Sequence, residues 1–259
     1  MLWVLPVVIA GQGAAAQAST LNTAQLFVSP NFSGGSGPYQ GLDNENGVAS
    51  LSGSATGGFD SSGAGTSLVN WGVIKLSGDA AGSLNTIAGG IFRDELTITA
   101  PGVATGTLGS LTFSLIVDGN LDVGAVGSSA AGWQLQADLG GGAFDINAGG
   151  RQYAPGLGGA YVGTPLGSFS ATVNFQFGFA APLDVELTAS AQAAYDSRPG
   201  MPTASFDLAH SLYWGGIGNI SINVTAVAGA VVSSASGTDY IGSFAPVPEP
   251  AAPHSGWPG

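Results

Sequence analysis

Cysteine is absent from this sequence, so disulfides, thiolate metal sites and cysteine nucleophiles are all excluded. Cations are nearly absent. Lys75, Arg93, Arg151 and Arg198 stand against 16 acidic residues, a formal charge of −12 over 259 residues. Four scattered cations cannot neutralise a row of phosphates, which argues against a nucleic-acid surface. There are two histidines, His210 and His254, and the second lies five residues from the end, so no histidine-based metal centre is expected in the folded part. Long apolar runs are missing too: the longest, near the start, is about ten residues, too short to span a bilayer as a helix.

What is abundant is glycine, 44 of 259 residues, against a usual share of ~7%. Charged residues are only 8%, where ~25% is common. Hydrophobic residues make up 44% and are spread along the chain, which argues against disorder. This balance favours many short strands joined by tight turns. The length suits one large β domain, which would bury about 70–75% of its unfolded surface.

Period-two alternation confirms the strand reading. Leu111, Phe113, Leu115 and Val117 alternate with Thr112, Ser114 and Ile116. Trp133, Leu135, Ala137 and Leu139 alternate with Gln134, Gln136 and Asp138. Phe169–Phe179 is the cleanest case, with Phe, Ala, Val, Phe, Phe and Phe at its odd positions. Leu183–Ala193 follows, and Pro182 is expected to separate the two. Further strands are expected at Ala24–Ser29, Leu68–Leu76, Arg93–Ala100, Ala143–Asn147, Ala204–Trp214, within Ile220–Ser233 and at Tyr240–Phe244. Turns or loops are expected at Asp43–Asn46, Pro101-Gly102, Asp118–Asn120, 148–166, Asp196–Pro202 and Gly215–Asn219. The sum is ten to twelve strands with no βα alternation. The expected fold is all-β, an antiparallel β-sandwich of jelly-roll type.

The two ends differ from the body. Residues 1–18 hold a short apolar core and then Ala16-Gln17-Ala18, the small-x-small pattern of a signal peptide cut after Ala18. No Lys or Arg precedes the apolar core, and a buried first strand is the competing reading. The body is expected to run over 19–245. Residues 246–259 begin Pro246-Val247-Pro248-Glu249-Pro250. Three prolines in five residues lack the N–H groups that a ladder needs, so an extended tail is expected.

Val247, Pro248, Glu249 and Pro250, placed after a β domain and a leader, resemble the sorting motif of the PEP-CTERM family of exported bacterial proteins. The similarity extends more loosely over Phe177-Gly178-Phe179, Pro182-Leu183, Ala204–Leu208 and Ser233–Tyr240. The resemblance implies export, recognition by an exosortase (a membrane transpeptidase), and association with extracellular polysaccharide in a biofilm or surface matrix. The family pattern continues with an apolar segment and a basic cluster. Here nine residues without Lys or Arg follow Pro250, so no stable membrane span is expected and a secreted or surface-bound chain is.

Candidate chemistry is sparse. Asp118, Asn120 and Asp122 have the spacing of the first half of a Ca²⁺ loop, but the twelfth position is Ser129 and not Glu, and a hairpin turn explains the same residues. Asp43 and Glu45 form a second acidic candidate, with a solvated loop as the alternative. Asp184 and Glu186 resemble a carboxylate pair or an ordinary solvent face. No G-x-S-x-G motif supports a serine hydrolase, and no enzyme activity is expected. Trp71, Trp133, Trp214, Tyr153, Tyr161, Tyr195 and Tyr213 are the aromatics that could stack on sugar rings; Trp71 and Trp133 alternate with apolar partners and are expected in the core, whereas the loop tyrosines Tyr153 and Tyr161 are the better candidates for a sugar-stacking platform. Two functions follow: an exported structural matrix protein without cofactor, or a carbohydrate-binding module, with Ca²⁺ as a candidate aid.

Overall fold

The computed structural model describes residues 20–30 and 38–244. The leader residues Ala16 and Ala18, the sorting motif Val247–Pro250 and His254 lie outside the described residues. Of His210 only its backbone position is described.

The chain alternates between two antiparallel sheets of eight strands each. The first sheet receives β1 (Leu21–Pro30) and β2 (Tyr39–Glu45). The second receives β3 (Ala49–Thr56), β4 (Ser62–Asn70) and β5 (Val73–Ala81). β6 (Leu84–Thr99) returns to the first, and β7 (Leu108–Val117) and β8 (Asn120–Val123) belong to the second. β9 (Ala130–Leu139), β10 (Ile146–Tyr153) and β11 (Tyr161–Gly163) are in the first sheet and β12 (Gly167–Gln176) is in the second. β13 (Ala180–Ala193) lies in the first, β14 (Thr203–Ile222) and β15 (Thr225–Ala226) in the second, and β16 (Val231–Ser234) closes on β6.

The spatial orders are β11-β10-β9-β13-β6-β1-β2 and β12-β7-β14-β5-β4-β3. Within them, β10-β9-β13-β6 and β12-β7-β14-β5 reproduce the two four-stranded sheets of a jelly roll, a double Greek key. β1–β4 widen both sheets on one side. The all-β sandwich expected from the sequence is therefore the fold. Strands number sixteen among the described residues, more than the ten to twelve expected.

Alternation explains the packing. Leu111, Phe113, Leu115 and Val117 of β7 are all buried, as are Trp133, Leu135, Ala137 and Leu139 of β9 and Leu183, Val185, Leu187 and Ala189 of β13. They join one contiguous core between the sheets. Phe113 stacks on Trp214 with ring centroids 5.7 Å apart. Each such buried ring contributes ~1.5–3 kcal/mol from removal of apolar surface. Among the described residues, no helix is long and apolar enough to cross a membrane.

Several expected turns are strands. Asp43–Glu45 belongs to β2, paired with β1. Residues 148–166 are not a long loop, because Gly149 and Gly150 pair across β9 and β10 turns back through β11. Gly215–Asn219 is not a turn either: β14 runs through it, and register shifts against β7 absorb the glycines as bulges. Leu68–Leu76 is two strands, split at Trp71-Gly72 where Gly72 has φ +77°. Pro182 does not break a strand. It lies in β13 past the end of β9, so its missing N–H removes no bond to that neighbour. The turn falls at Phe177-Gly178 instead, closed by the Phe179 N–H on the Gln176 carbonyl. Tyr240–Phe244 is irregular, and not the last strand.

Asp118-Gly119-Asn120 does not fold a hairpin. Val117 of β7 pairs with Leu212 of β14, and Asn120 of β8 pairs with Asp207 of the same strand. β7 and β8 thus share one lane, offset by a jog opposite the irregular Leu208–Leu212 stretch. Gly119 is required at the jog. Its φ is +145°, and a β-carbon there would lie 2.3 Å from the Asp207 carbonyl oxygen.

Candidate polysaccharide-binding face

Inward apolar residues force their neighbours outward, and the outward face of the first sheet is rich in amides. β9 supplies Gln134 and Gln136, β10 supplies Asn147, β13 supplies Thr188, Ser190 and Gln192, β6 supplies Asn85 and β1 supplies Gln25. Register brings them together. Gln136 lies opposite both Asn147 and Glu186. Gln134 lies opposite Thr188, and Gln192 opposite Asn85. Side chains on directly opposed residues stand ~4.5–5.5 Å apart, so the groups form a continuous array. Each amide presents donors and acceptors, and each hydroxyl does both.

Charge lies toward the two ends of this face, with Asp138, Asp184, Glu186 and Arg93 at one and Arg151 at the other. Arg93 Nε donates to Asp184 at 2.7 Å, with Asp138 on the other side of Asp184. Both partners of the pair are substantially exposed, so it contributes ~0–1 kcal/mol. Burial pushes the Glu186 carboxyl above its ordinary value, the Asp184 carboxylate adds to this, and Arg93 offsets part of it. Asp184 and Glu186 do share a face, as expected, but their neighbours are the ion pair and amides.

Past the end of β13, Tyr195, one of the tyrosines the sequence offers for stacking, meets the turn between β3 and β4. Tyr195, three residues past Gln192, donates its hydroxyl to the Phe59 carbonyl at 2.9 Å. Phe59 is 76% exposed. Phe59 and Asp60 both have φ +57°, a left-handed conformation that is costly for a bulky side chain. Beside them Asp196 accepts from Arg198, which holds its carboxyl below the usual range, and Arg198 also donates to the Gly127 carbonyl. The available signal was Tyr195-Asp196 at the edge of a loop, but the sequence does not reveal that the 57–61 turn meets it.

The expected tyrosine platform is not one surface. Tyr153 lies on the outward face of the first sheet, with the Arg151 guanidinium 5.9 Å from its ring centroid. Tyr161 lies on the inward side. Its hydroxyl accepts from Trp133 Nε1 at 2.9 Å and donates to the Thr164 carbonyl at 2.6 Å. Gly150 makes room for it, since a β-carbon there would lie 1.8 Å from the Tyr161 oxygen. Tyr161 therefore caps the edge of the core, and the two tyrosines point to opposite sides. Trp133 is buried and Trp71 partly so, as expected, and Trp214 is buried as well.

Asp118, Asn120 and Asp122 are exposed. Asp118 takes the N–H of Gly119, and β8 is extended, so Asn120 and Asp122 line up along a strand where a Ca²⁺ loop would curl them round a point. Asp43 is occupied by the N–H of Ser50. Among the described residues, no three His, Asp or Glu side chains converge as a metal site would require. No protein-family model matches the chain, and no curated protein matches it.

Proposed function

We propose that this chain is an exported, non-catalytic matrix protein that holds extracellular polysaccharide on the outward face of its first sheet. The observation that carries the proposal is the run of neutral amides and hydroxyls from Asn147 through Gln136, Gln134, Thr188 and Gln192 to Asn85, in register on one rigid sheet. Sugars present rows of neutral hydroxyls, and such a face pairs with them without desolvating charge. At its loop end, Phe59 and Tyr195 supply ring faces on which a pyranose can stack.

Export is assigned to the leader ending at Ala18, and surface sorting to Val247–Pro250 acting with an exosortase-type transpeptidase. The motivation is the resemblance to the PEP-CTERM family. Fractionation of the native host tests this part, and recovery in the cytosol alone overturns it.

The binding part is tested by affinity electrophoresis through gels containing neutral and acidic exopolysaccharides. Retardation is expected in neutral glycan gels, and Gln134→Ala with Thr188→Ala is expected to weaken it at least tenfold without loss of folding. Absence of retardation across the panel overturns the reading. Retardation lost on chelation would place Ca²⁺ in the interaction and return Asp118, Asn120 and Asp122 to it.

A further inference from the structure

Four strands end the two sheets, and three of them are protected in the usual ways. β11 has only three residues. β2 carries Asp43 and Glu45. β3 is wrapped by Tyr39, whose ring sits where a β-carbon on Gly53 would be, 2.4 Å away. Natural sheets blunt their edges by such short strands, charges and coverings, because an open edge offers unpaired N–H and C=O groups to another chain.

β12 has none of these devices. Among the described residues it is the outermost strand of the second sheet and pairs with β7 alone. Its sequence, Gly-Ser-Phe-Ser-Ala-Thr-Val-Asn-Phe-Gln, contains no charge and no proline, in a chain with 16 acids. Its ten residues pair with β7 without a register shift, so no bulge twists the edge away. Ser168, Ser170, Thr172, Asn174 and Gln176 are exposed, and Phe169 and Ala171 are only half-buried.

We infer that β12 is a self-association edge, and that its partner is β12 of a second copy of this chain. An antiparallel pairing about Thr172 is self-complementary. It sets Thr172 opposite its own copy, Ser170 opposite Asn174 and Ser168 opposite Gln176 on the outward side. On the inward side it sets Phe169 opposite Phe175 and Ala171 opposite Val173. Polar residues meet polar ones, rings meet rings, and no like charges meet despite the net charge of −12. The two-fold axis at Thr172 makes the contact isologous and closed, a dimer and not a fibre. The dimer joins two second sheets edge to edge and leaves both first-sheet faces free, so it stands or falls independently of polysaccharide binding.

The natural absence of cysteine makes the test direct. In the full-length chain, Thr172→Cys is expected to give a disulfide-linked dimer on mild oxidation, since directly opposed residues fall within disulfide reach. Ser170→Cys alone is expected to link at least tenfold more slowly, and the combination of Ser170→Cys with Asn174→Cys to restore linkage. Sedimentation of the unmodified chain is expected to show a concentration-dependent dimer. Thr172→Lys, which also removes the Thr172 hydroxyl contact with Thr112, is expected to weaken it at least 100-fold while the monomer stays folded. Three results each overturn the inference: a monomer at several hundred micromolar; linkage by Thr188→Cys, on the other sheet, as fast as by Thr172→Cys; or protection from hydrogen exchange, at concentrations where the chain is monomeric, of those Gly167–Gln176 amides that point away from β7, which would mean that another segment of the same chain fills the edge.

Discussion

Trp214 and Tyr240 are joined twice: the indole Nε1–H donates to the Tyr240 carbonyl at 2.6 Å, and the rings meet edge to face with centroids 5.0 Å apart. Both side chains are fully buried. Phe244 continues the attachment, donating its N–H to the Trp214 carbonyl at 2.8 Å. Tyr240 is thus part of the core, and with the half-buried Phe244 it fastens the irregular 240–244 segment to β14 immediately before the proline-rich stretch. Tyr240→Ala is expected to cost ~3–5 kcal/mol, because it removes a large buried ring and leaves a cavity beside Trp214. Urea unfolding followed by tryptophan emission measures it. A loss below 1 kcal/mol would show that the segment is not packed as described.

Asp94 is a second anchor for the same region. Its carboxylate is buried and accepts from the N–H groups of Glu95 and Ser236 and from the Ser236 hydroxyl, 142 residues further along the chain. Asp94→Ala strands those donors and is expected to cost ~2–4 kcal/mol. Asp94→Asn keeps an acceptor in place and should cost about half as much. Limited proteolysis provides the local readout: cleavage within 235–244 should rise in Asp94→Ala well before global unfolding.

Glu186 makes stability depend on pH in a defined direction. Burial and the Asp184 carboxylate raise its folded-state pKa above the ordinary 4.5, so the folded chain keeps this proton to higher pH than the unfolded chain does. Ionising Glu186 therefore costs stability as pH rises through that interval, and well below 4.5 both states are protonated and the cost is gone. Glu186→Gln is expected to raise the melting temperature by about 1–3 °C at pH 7 and to leave it unchanged near pH 3. Equal gains at both pH values would contradict this assignment.

Phe59 sets stability against binding. At φ +57° its side chain is strained, and glycine relieves the strain. Phe59→Gly is expected to stabilise the fold by roughly 0.5–1 kcal/mol, after allowing for the extra freedom of the unfolded chain. The same change removes an exposed ring and should weaken glycan retardation several-fold. A variant that gains stability and binds unchanged would remove the Phe59–Tyr195 pair from the binding face.

Composition and alternation alone determined the class of fold and much of the core. A backbone whose side chains point alternately to two faces must sort Leu111, Phe113, Leu115 and Val117 from Thr112, Ser114 and Ile116, whatever lies beside it, and the same holds for β9, β12 and β13. The tertiary structure decided which strands became neighbours. Nothing local in Asp118-Gly119-Asn120 distinguishes a hairpin from a jog within one lane; the pairing of β14 with both β7 and β8 does. Glycines at 149–150 and 215–218 look like turns until neighbouring strands take up their backbone groups. Tyr153 and Tyr161 are close in the chain, yet they face opposite sides because β10 reverses into β11 between them. The amide face draws on β1, β6, β9, β10 and β13, segments up to 167 positions apart, from Gln25 to Gln192. Side-chain period is a property of one strand, whereas a binding face is a property of register between strands, and register is settled only when the whole sandwich closes.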